Sequence, residues 1–226
     1  SQEILLGIGG MQALAKLRIF PKVVHMNEGH SAFSSIERVA QTMERFGVDL
    51  STALEIVPRS TIFTTHTPVP AGHDEFPVDL VRPVLKPFAP RLGATVEEIL
   101  SWGQPNAGIS DEPMSMFVLG LRMAEHCNGV SRLHGQVARK MWSYVWPNRN
   151  VEEVPISHVT NGIHVSTFIS DEFSRLFDRY MGPEWYMSSR RPENIRRIDD
   201  IYEEDLWRAH EMNRARLVRL CREQMS

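Results

Sequence analysis

The chain has 226 residues, 42% of them hydrophobic and 23% charged, with a formal net charge of -3 at pH 7. That length fits one large domain, or one domain plus part of another, at roughly 150 residues per domain. The near-balanced charge leaves no electrostatic footprint for nucleic acid, and no apolar run approaches the ~18 residues of a membrane span or the form of a signal peptide, so neither partner is expected.

Cys127 and Cys221 lie far apart, which points to neither a disulfide framework nor a zinc knuckle and suits a reducing cytoplasm. The basic cluster Arg190, Arg191, Arg196 and Arg197 reads as solvated surface. The chain opens on Ser1 rather than Met and closes inside a helical pattern, so we expect both ends to be cut from a longer polypeptide.

Gly7-Ile8-Gly9-Gly10 lacks the third glycine and the preceding strand of a dinucleotide fingerprint, and is expected to be a loop before a helix over 11–20. Lys22–Met26 reads as a buried strand ending at Asn27-Glu28-Gly29-His30. Phe33, Ile36, Val39, Ala40, Met43 and Phe46 then recur at helical spacing, with Ser31 as the expected N-cap and Gly47 at the left-handed C-terminal position. A helix Thr52–Val57 stopped by Pro58, a strand Thr61–Thr64 and a loop from His66 through Pro77 follow, the loop's path constrained by Pro68, Pro70 and Gly72.

Residues 79–102 predict two short helices punctuated by Pro83, Pro87 and Pro90, and 104–113 a connection rich in Gly, Pro and Asn. Met114 to Trp146 reads as strongly helical, interrupted at Asn128-Gly129. A last strand, Ile156–Thr160, runs into Asn161-Gly162, and 164–226 is mainly helical with Pro183 and Pro192 between helices. Met114, Met116, Trp142, Trp146 and Trp207 fall at helical spacing and are expected in the core. Strands alternating with helices imply a doubly wound parallel sheet, with ligands at the carboxyl ends of its strands.

Four runs place polar groups where hydrophobic segments stop. They are His25-Met26-Asn27-Glu28-Gly29-His30, Thr64-Thr65-His66-Thr67 with its loop through His73, Asn128-Gly129-Val130-Ser131-Arg132-Leu133-His134-Gly135, and His158-Val159-Thr160-Asn161-Gly162-Ile163. Glu28 and Asn27 offer the acceptors and donors that sugar hydroxyls need; equally, Glu28 caps the helix and His30 bonds backbone. His66, just before Thr67-Pro68, is either a ligand-facing residue or a loop histidine satisfied by nearby threonines. His73 and Asp74 shape the loop. Asn128 either borders a crevice or caps a helix junction, with Glu125 and His126 in the same group, and Asn161 is either a site amide or a plain turn residue. His25-x-x-Glu28-x-His30 is a poor metal site, because a turn containing Gly29 separates histidines that H-E-x-x-H would place four apart on one helix.

In this order the four runs resemble the α-glucan (glycogen and maltodextrin) phosphorylases, particularly their shorter bacterial-type branch, over essentially the whole chain. The resemblance implies an α/β fold of the glycosyltransferase B type, with 1–162 the later part of the N-terminal Rossmann-like, glucan-binding domain and 163–226 the helical start of a cofactor domain. It implies a full-length enzyme that transfers the terminal glucosyl unit of an α-1,4-glucan to orthophosphate, giving glucose 1-phosphate with retention.

By the same resemblance, His66 is the catalytic contact, its main-chain carbonyl near the anomeric carbon and its ring near the primary hydroxyl. Asn161 holds that hydroxyl, and Asn27, Glu28 and His30 border the sugar. Pyridoxal phosphate is the implied cofactor, with its lysine in a region that has no match in this chain, so the fragment alone is expected to be inactive. A cytoplasmic enzyme is implied, and a homo-oligomer is allowed. Two other readings stay open: a non-catalytic α-glucan-binding module, and a metal-assisted hydrolase using some of the nine histidines.

Overall fold

The computed structural model describes residues 1–69, 73–106, 111–183, 185–186 and 196–225. Pro70, Gly72, the middle of the 104–113 connection, and Arg190, Arg191 and Pro192 of the sequence reading lie outside them. The chain divides into two units, Ser1–Asn161 and Gly162–Ser226.

Six strands are present in the described residues of the first unit: β1 (Val24–Asn27), β2 (Thr61–Thr65), β3 (Glu75–Phe76), β4 (Met114–Ser115), β5 (His126–Gly129) and β6 (Ile156–His158). Four of them form one parallel sheet in the order β1-β2-β5-β6, and β3 pairs antiparallel with β4. The fold is α/β with a parallel sheet, as the alternation of strands and helices predicts.

The pleat of the sheet separates two chemistries. Met26, Phe63, Cys127 and Ile156 lie abreast across the four strands and are buried against Phe117, Val118, Leu121, Ala138 and Trp142. Burial among these groups pushes the Cys127 thiol up to about 12, which leaves it an inert core residue. On the other face His25 donates from Nε2 to Thr64 Oγ1 (2.7 Å) and Thr64 donates to Asn128 Oδ1 (3.0 Å), a polar row across three strands. Such a row departs from the apolar strands of a parallel sheet covered on both sides.

The helices correct several sequence expectations. Helical structure begins at Gln2, as α1 (Gln2–Ile4), a π-helical segment Leu5–Gly9 and α2 (Gly10–Lys16), so Gly7–Gly10 is not a loop. Gly7 is there for close approach, since a Cβ on it would lie 2.7 Å from the Ser34 nitrogen. Helix α3 (Phe33–Phe46) buries Phe33, Ile36, Val39 and Ala40 and ends at Gly47 with φ +65, as its sequence predicts. Ser31 is not its cap, because a 3-10 turn over Gly29–Ser31 runs straight into the helix, and Ala32 N–H already donates to the Gly29 carbonyl (2.9 Å).

Helix α4 (Leu50–Arg59) extends beyond 52–57 at both ends. Asp49 accepts from Thr52 N–H at 2.8 Å, and Pro58 sits in the last turn, where its carbonyl accepts from Glu125 N–H (3.0 Å). Three helices rather than two fill 78–101: α5 (Val78–Leu85), α6 (Phe88–Leu92) and α7 (Val96–Ser101), the last capped by Thr95. The stretch from Met114 to Trp146 is not one interrupted helix. It is β4, α8 (Met116–Arg122), β5 and α9 (Arg132–Met141), then a 3-10 turn, with Ser115 and Ser131 capping the two helices.

In the second unit α10 (Val165–Phe168) buries no residue, while α11 (Asp171–Met181), Ile201 and α12 (Glu203–Met225) gather Leu176, Ile201 and Ala209, with Phe173, Phe177, Tyr180 and Leu206, into a small core. Trp207 is 59% exposed, against its expected place in the core, whereas Met114, Met116 and Trp142 are buried.

Candidate functional site

Every strand of the parallel sheet ends at the same edge, and each end carries one of the polar runs. Asn27 is the last residue of β1, His66 follows the last residue of β2, Asn128-Gly129 closes β5, and Asn161 stands three residues beyond β6. This is the edge at which open α/β sheets bind ligands, because the turns there expose backbone and side chains that no neighbouring strand covers.

β1 and β2 are cross-linked at this edge by side chains. His66 Nε2 lies 2.7 Å from Asn27 Oδ1, so with the amide oxygen facing the ring Nε2 carries the hydrogen, and in the neutral ring Nδ1 is the acceptor. Glu28, 8% exposed, turns back over the end of β2, and its Oε1 accepts from the backbone N–H of His66, from the N–H of Thr67 (2.8 Å) and from the Thr67 hydroxyl (3.1 Å). Of the two readings of Glu28, a helix cap fails, since its side chain makes no cap bond to the 3-10 turn that follows.

His30 is exposed and pairs through Nδ1 with Asp74 Oδ2 (3.1 Å), which ties the loop after β2 back to the turn after β1. His73 fastens the same loop by packing its ring against Phe117 and Trp142, at 4.3 and 4.8 Å between centroids. Burial there holds the His73 imidazole below its usual value, against the opposing pull of Glu28 and Asp74. Glu28, Gly29, His30, His73, Asp74 and Phe117 line one narrow cleft.

At the other two strands, Asn128 is buried in β5 and accepts from Thr64, so it does not cap a helix junction; Ser131 caps α9, accepting from His134 N–H at 3.1 Å. Gly129 and Gly135 let α9 lie close on the sheet, since a Cβ on Gly135 would stand 2.9 Å from the Ser157 carbonyl oxygen. Beyond β6, Val159 and Asn161 donate from backbone N–H to Gly129 (2.9 Å) and Val130 (3.0 Å). That pairing holds Asn161 beside the end of β5. Glu125 and His126 are removed from the site, because they stand at the opposite, amino end of β5.

The structure thus brings Asn27, Glu28, His30 and His66 together through direct bonds and their loop, and sets Asn161 on the same edge two strands away. The sequence offers the nearby threonines as partners of His66, but its ring bonds Asn27 instead, while Thr67 bonds Glu28 and Thr64 bonds His25 and Asn128. No group of three or more His, Cys, Asp or Glu among the described residues is placed to hold a metal ion, His25 and His30 being turned to Thr64 and Asp74. The four lysines, Lys16, Lys22, Lys86 and Lys140, are exposed. They lie at the end of α2, before β1, after α5 and in the last turn of α9, and none is among the side chains bonded at the ends of β1 and β2.

A parallel α/β unit with polar side chains gathered at its carboxyl edge defines an open α/β domain of the kind that binds ligands there. The carbohydrate phosphorylase family matches residues 11–226, and the chain belongs to that family. It is 41% identical over 209 residues to the maltodextrin phosphorylase of Thermococcus litoralis, covering 92% of this chain and 24% of that protein. It is 38% identical over 230 residues to the glycogen phosphorylase of Mycobacterium tuberculosis (96% and 26%) and 30% identical over 217 residues to that of Aquifex aeolicus (96% and 31%). The chain therefore spans about a quarter to a third of the length of these relatives. No helix among the described residues is long and apolar enough to cross a membrane.

Proposed function

We propose that this chain supplies the sugar-holding half of a cytoplasmic α-1,4-glucan phosphorylase, a glycosyltransferase that moves a terminal glucosyl unit to orthophosphate and releases α-glucose 1-phosphate with retention. The observation that carries the reading is the gathering of four polar runs on one sheet edge in a chain whose relatives are named glycogen and maltodextrin phosphorylases. Residues 1–162 are assigned to the glucan-binding domain and 163–226 to the start of the cofactor domain.

In this reading His66 is the catalytic contact. Its ring, held by Asn27, keeps Nδ1 free to accept a sugar hydroxyl, and its main-chain carbonyl dipole faces the positive charge that develops at the anomeric carbon. Asn161 binds the primary hydroxyl with an amide that donates and accepts, and His30 borders the sugar. Pyridoxal phosphate supplies a phosphate acid/base group to the complete enzyme from a lysine outside this chain, so the chain alone is inactive.

The test is an assay of the complete gene product on maltodextrin with and without orthophosphate. Phosphate-dependent formation of glucose 1-phosphate is expected. Sugar release that ignores phosphate marks a hydrolase, and tight glucan binding without turnover marks a binding module.

A further inference from the structure

Glu28 has a backbone that its residue type does not favour. Its φ of 62 with ψ of -175 is a conformation that belongs almost entirely to glycine, yet the chain keeps a buried carboxylate there. The strained turn takes the chain out of β1 immediately after Asn27, while Glu28 N–H still donates to the Thr64 carbonyl of β2 (2.9 Å). Its side chain folds onto the next two peptides of the neighbouring segment, so main chain and carboxylate together grip the end of β2 from Thr64 to Thr67. All three side-chain bonds converge on one oxygen, Oε1, and two of the three donors are the backbone N–H groups on either side of the His66 α-carbon.

We propose that Glu28 is a positioning residue and not a sugar ligand: it fixes the orientation of the peptides flanking His66, and with it the direction of the His66 carbonyl. The proposal rests on the reading that places His66 at the reacting sugar. The mechanism is geometric. The Thr67 N–H belongs to the same planar peptide as the His66 carbonyl, so an acceptor that holds that N–H points the carbonyl the opposite way. A second bond to the His66 N–H removes the remaining rotation, and a charge-assisted acceptor serves this end better than a neutral one. A site whose transition state is stabilised by a carbonyl dipole loses rate when the dipole swings, even though the ground-state sugar contacts survive.

The test uses Glu28→Gly and Glu28→Gln. Glycine removes the acceptor while accepting the positive φ without strain, so loss of function cannot be ascribed to a misfolded turn. Glutamine keeps an oxygen at the Oε1 position without the charge. In this chain, amide hydrogen exchange at His66 and Thr67 is expected to accelerate in Glu28→Gly and to stay near wild type in Glu28→Gln. In the complete gene product, Glu28→Gly is expected to lose roughly 10²-fold in kcat with little change in KM, and Glu28→Gln to recover most of that loss. Unchanged exchange at His66 and Thr67 in Glu28→Gly overturns the latch. A Glu28→Gln enzyme as slow as Glu28→Gly, with its amides still protected, overturns it in favour of a carboxylate that acts on substrate. Amides that respond while kcat holds leave the latch standing and count instead against the place of His66 at the reacting sugar.

Discussion

Asn27 Oδ1 and His66 Nε2 lie 2.7 Å apart, joining the ends of two adjacent parallel strands through side chains that come from 39 residues apart in sequence. If this bond orients the imidazole, the two residues act as a unit. Asn27→Ala, His66→Ala and the double variant should show a coupling of about 0.5–3 kcal/mol in kcat/KM, the double being little worse than His66→Ala alone. Strictly additive losses would mean that the two side chains work independently. Because both residues are exposed, thermal midpoints should move little in all three.

Helix α9 rests on β6 through Gly135, where an added Cβ would stand 2.9 Å from a backbone oxygen that cannot rotate away. Gly135→Ala should cost about 1–3 kcal/mol of stability by overpacking, read from urea or thermal unfolding. A variant as stable as wild type would show that α9 can shift without strain, and that the carboxyl edge tolerates movement.

His73 gives a pH dependence with a definite sign. Burial between Phe117 and Trp142 depresses its folded pKa below the ordinary 6.5, so between the two values the unfolded chain binds more protons than the folded one. Its contribution is therefore fully present above pH 6.5 and is lost as pH falls through that window. Unfolding free energies measured from pH 5 to 8 should rise with pH, and His73→Phe should flatten the rise. An unaltered slope in the variant would assign the effect to other groups.

Much of this architecture was legible in the residues, for physical reasons that differ from element to element. Val24 to Met26 and Thr61 to Thr64 carry β-branched and large apolar residues, and they form strands as read. The strand β5 escaped because His-Cys-Asn-Gly contains no β-branched residue; its place in the sheet comes from pairing with β2 and β6 rather than from local preference. The helical segment Leu5–Gly10, ahead of the helix read from 11, escaped because composition reads its glycines as loop, whereas Gly7 serves packing against α3. The ends of β1 and β2 were read one residue short and that of β6 two residues long, while the Glu28 latch was not foreseeable, since a positive φ at glutamate and a contact 38 residues away leave no local signature.

The four exposed lysines carry an expectation about cofactor chemistry. Incubated with pyridoxal phosphate, reduced with borohydride and digested, this chain should yield no stoichiometric adduct at Lys16, Lys22, Lys86 or Lys140. A single, saturating adduct at one of them would place the cofactor lysine within these residues.

The central claim, that the carboxyl edge of this sheet holds the reacting sugar, is tested most directly by His66→Ala and Asn161→Ala in the complete gene product, with kcat and melting temperature measured on each. Both residues are exposed at strand ends, so their loss removes polar contacts and no core volume. The account expects losses of roughly 10²–10³ in kcat with melting temperatures near wild type, as for groups that act in the transition state. Lowered melting temperatures with kcat/KM within a few-fold of wild type would contradict it, and would make both side chains part of the scaffold.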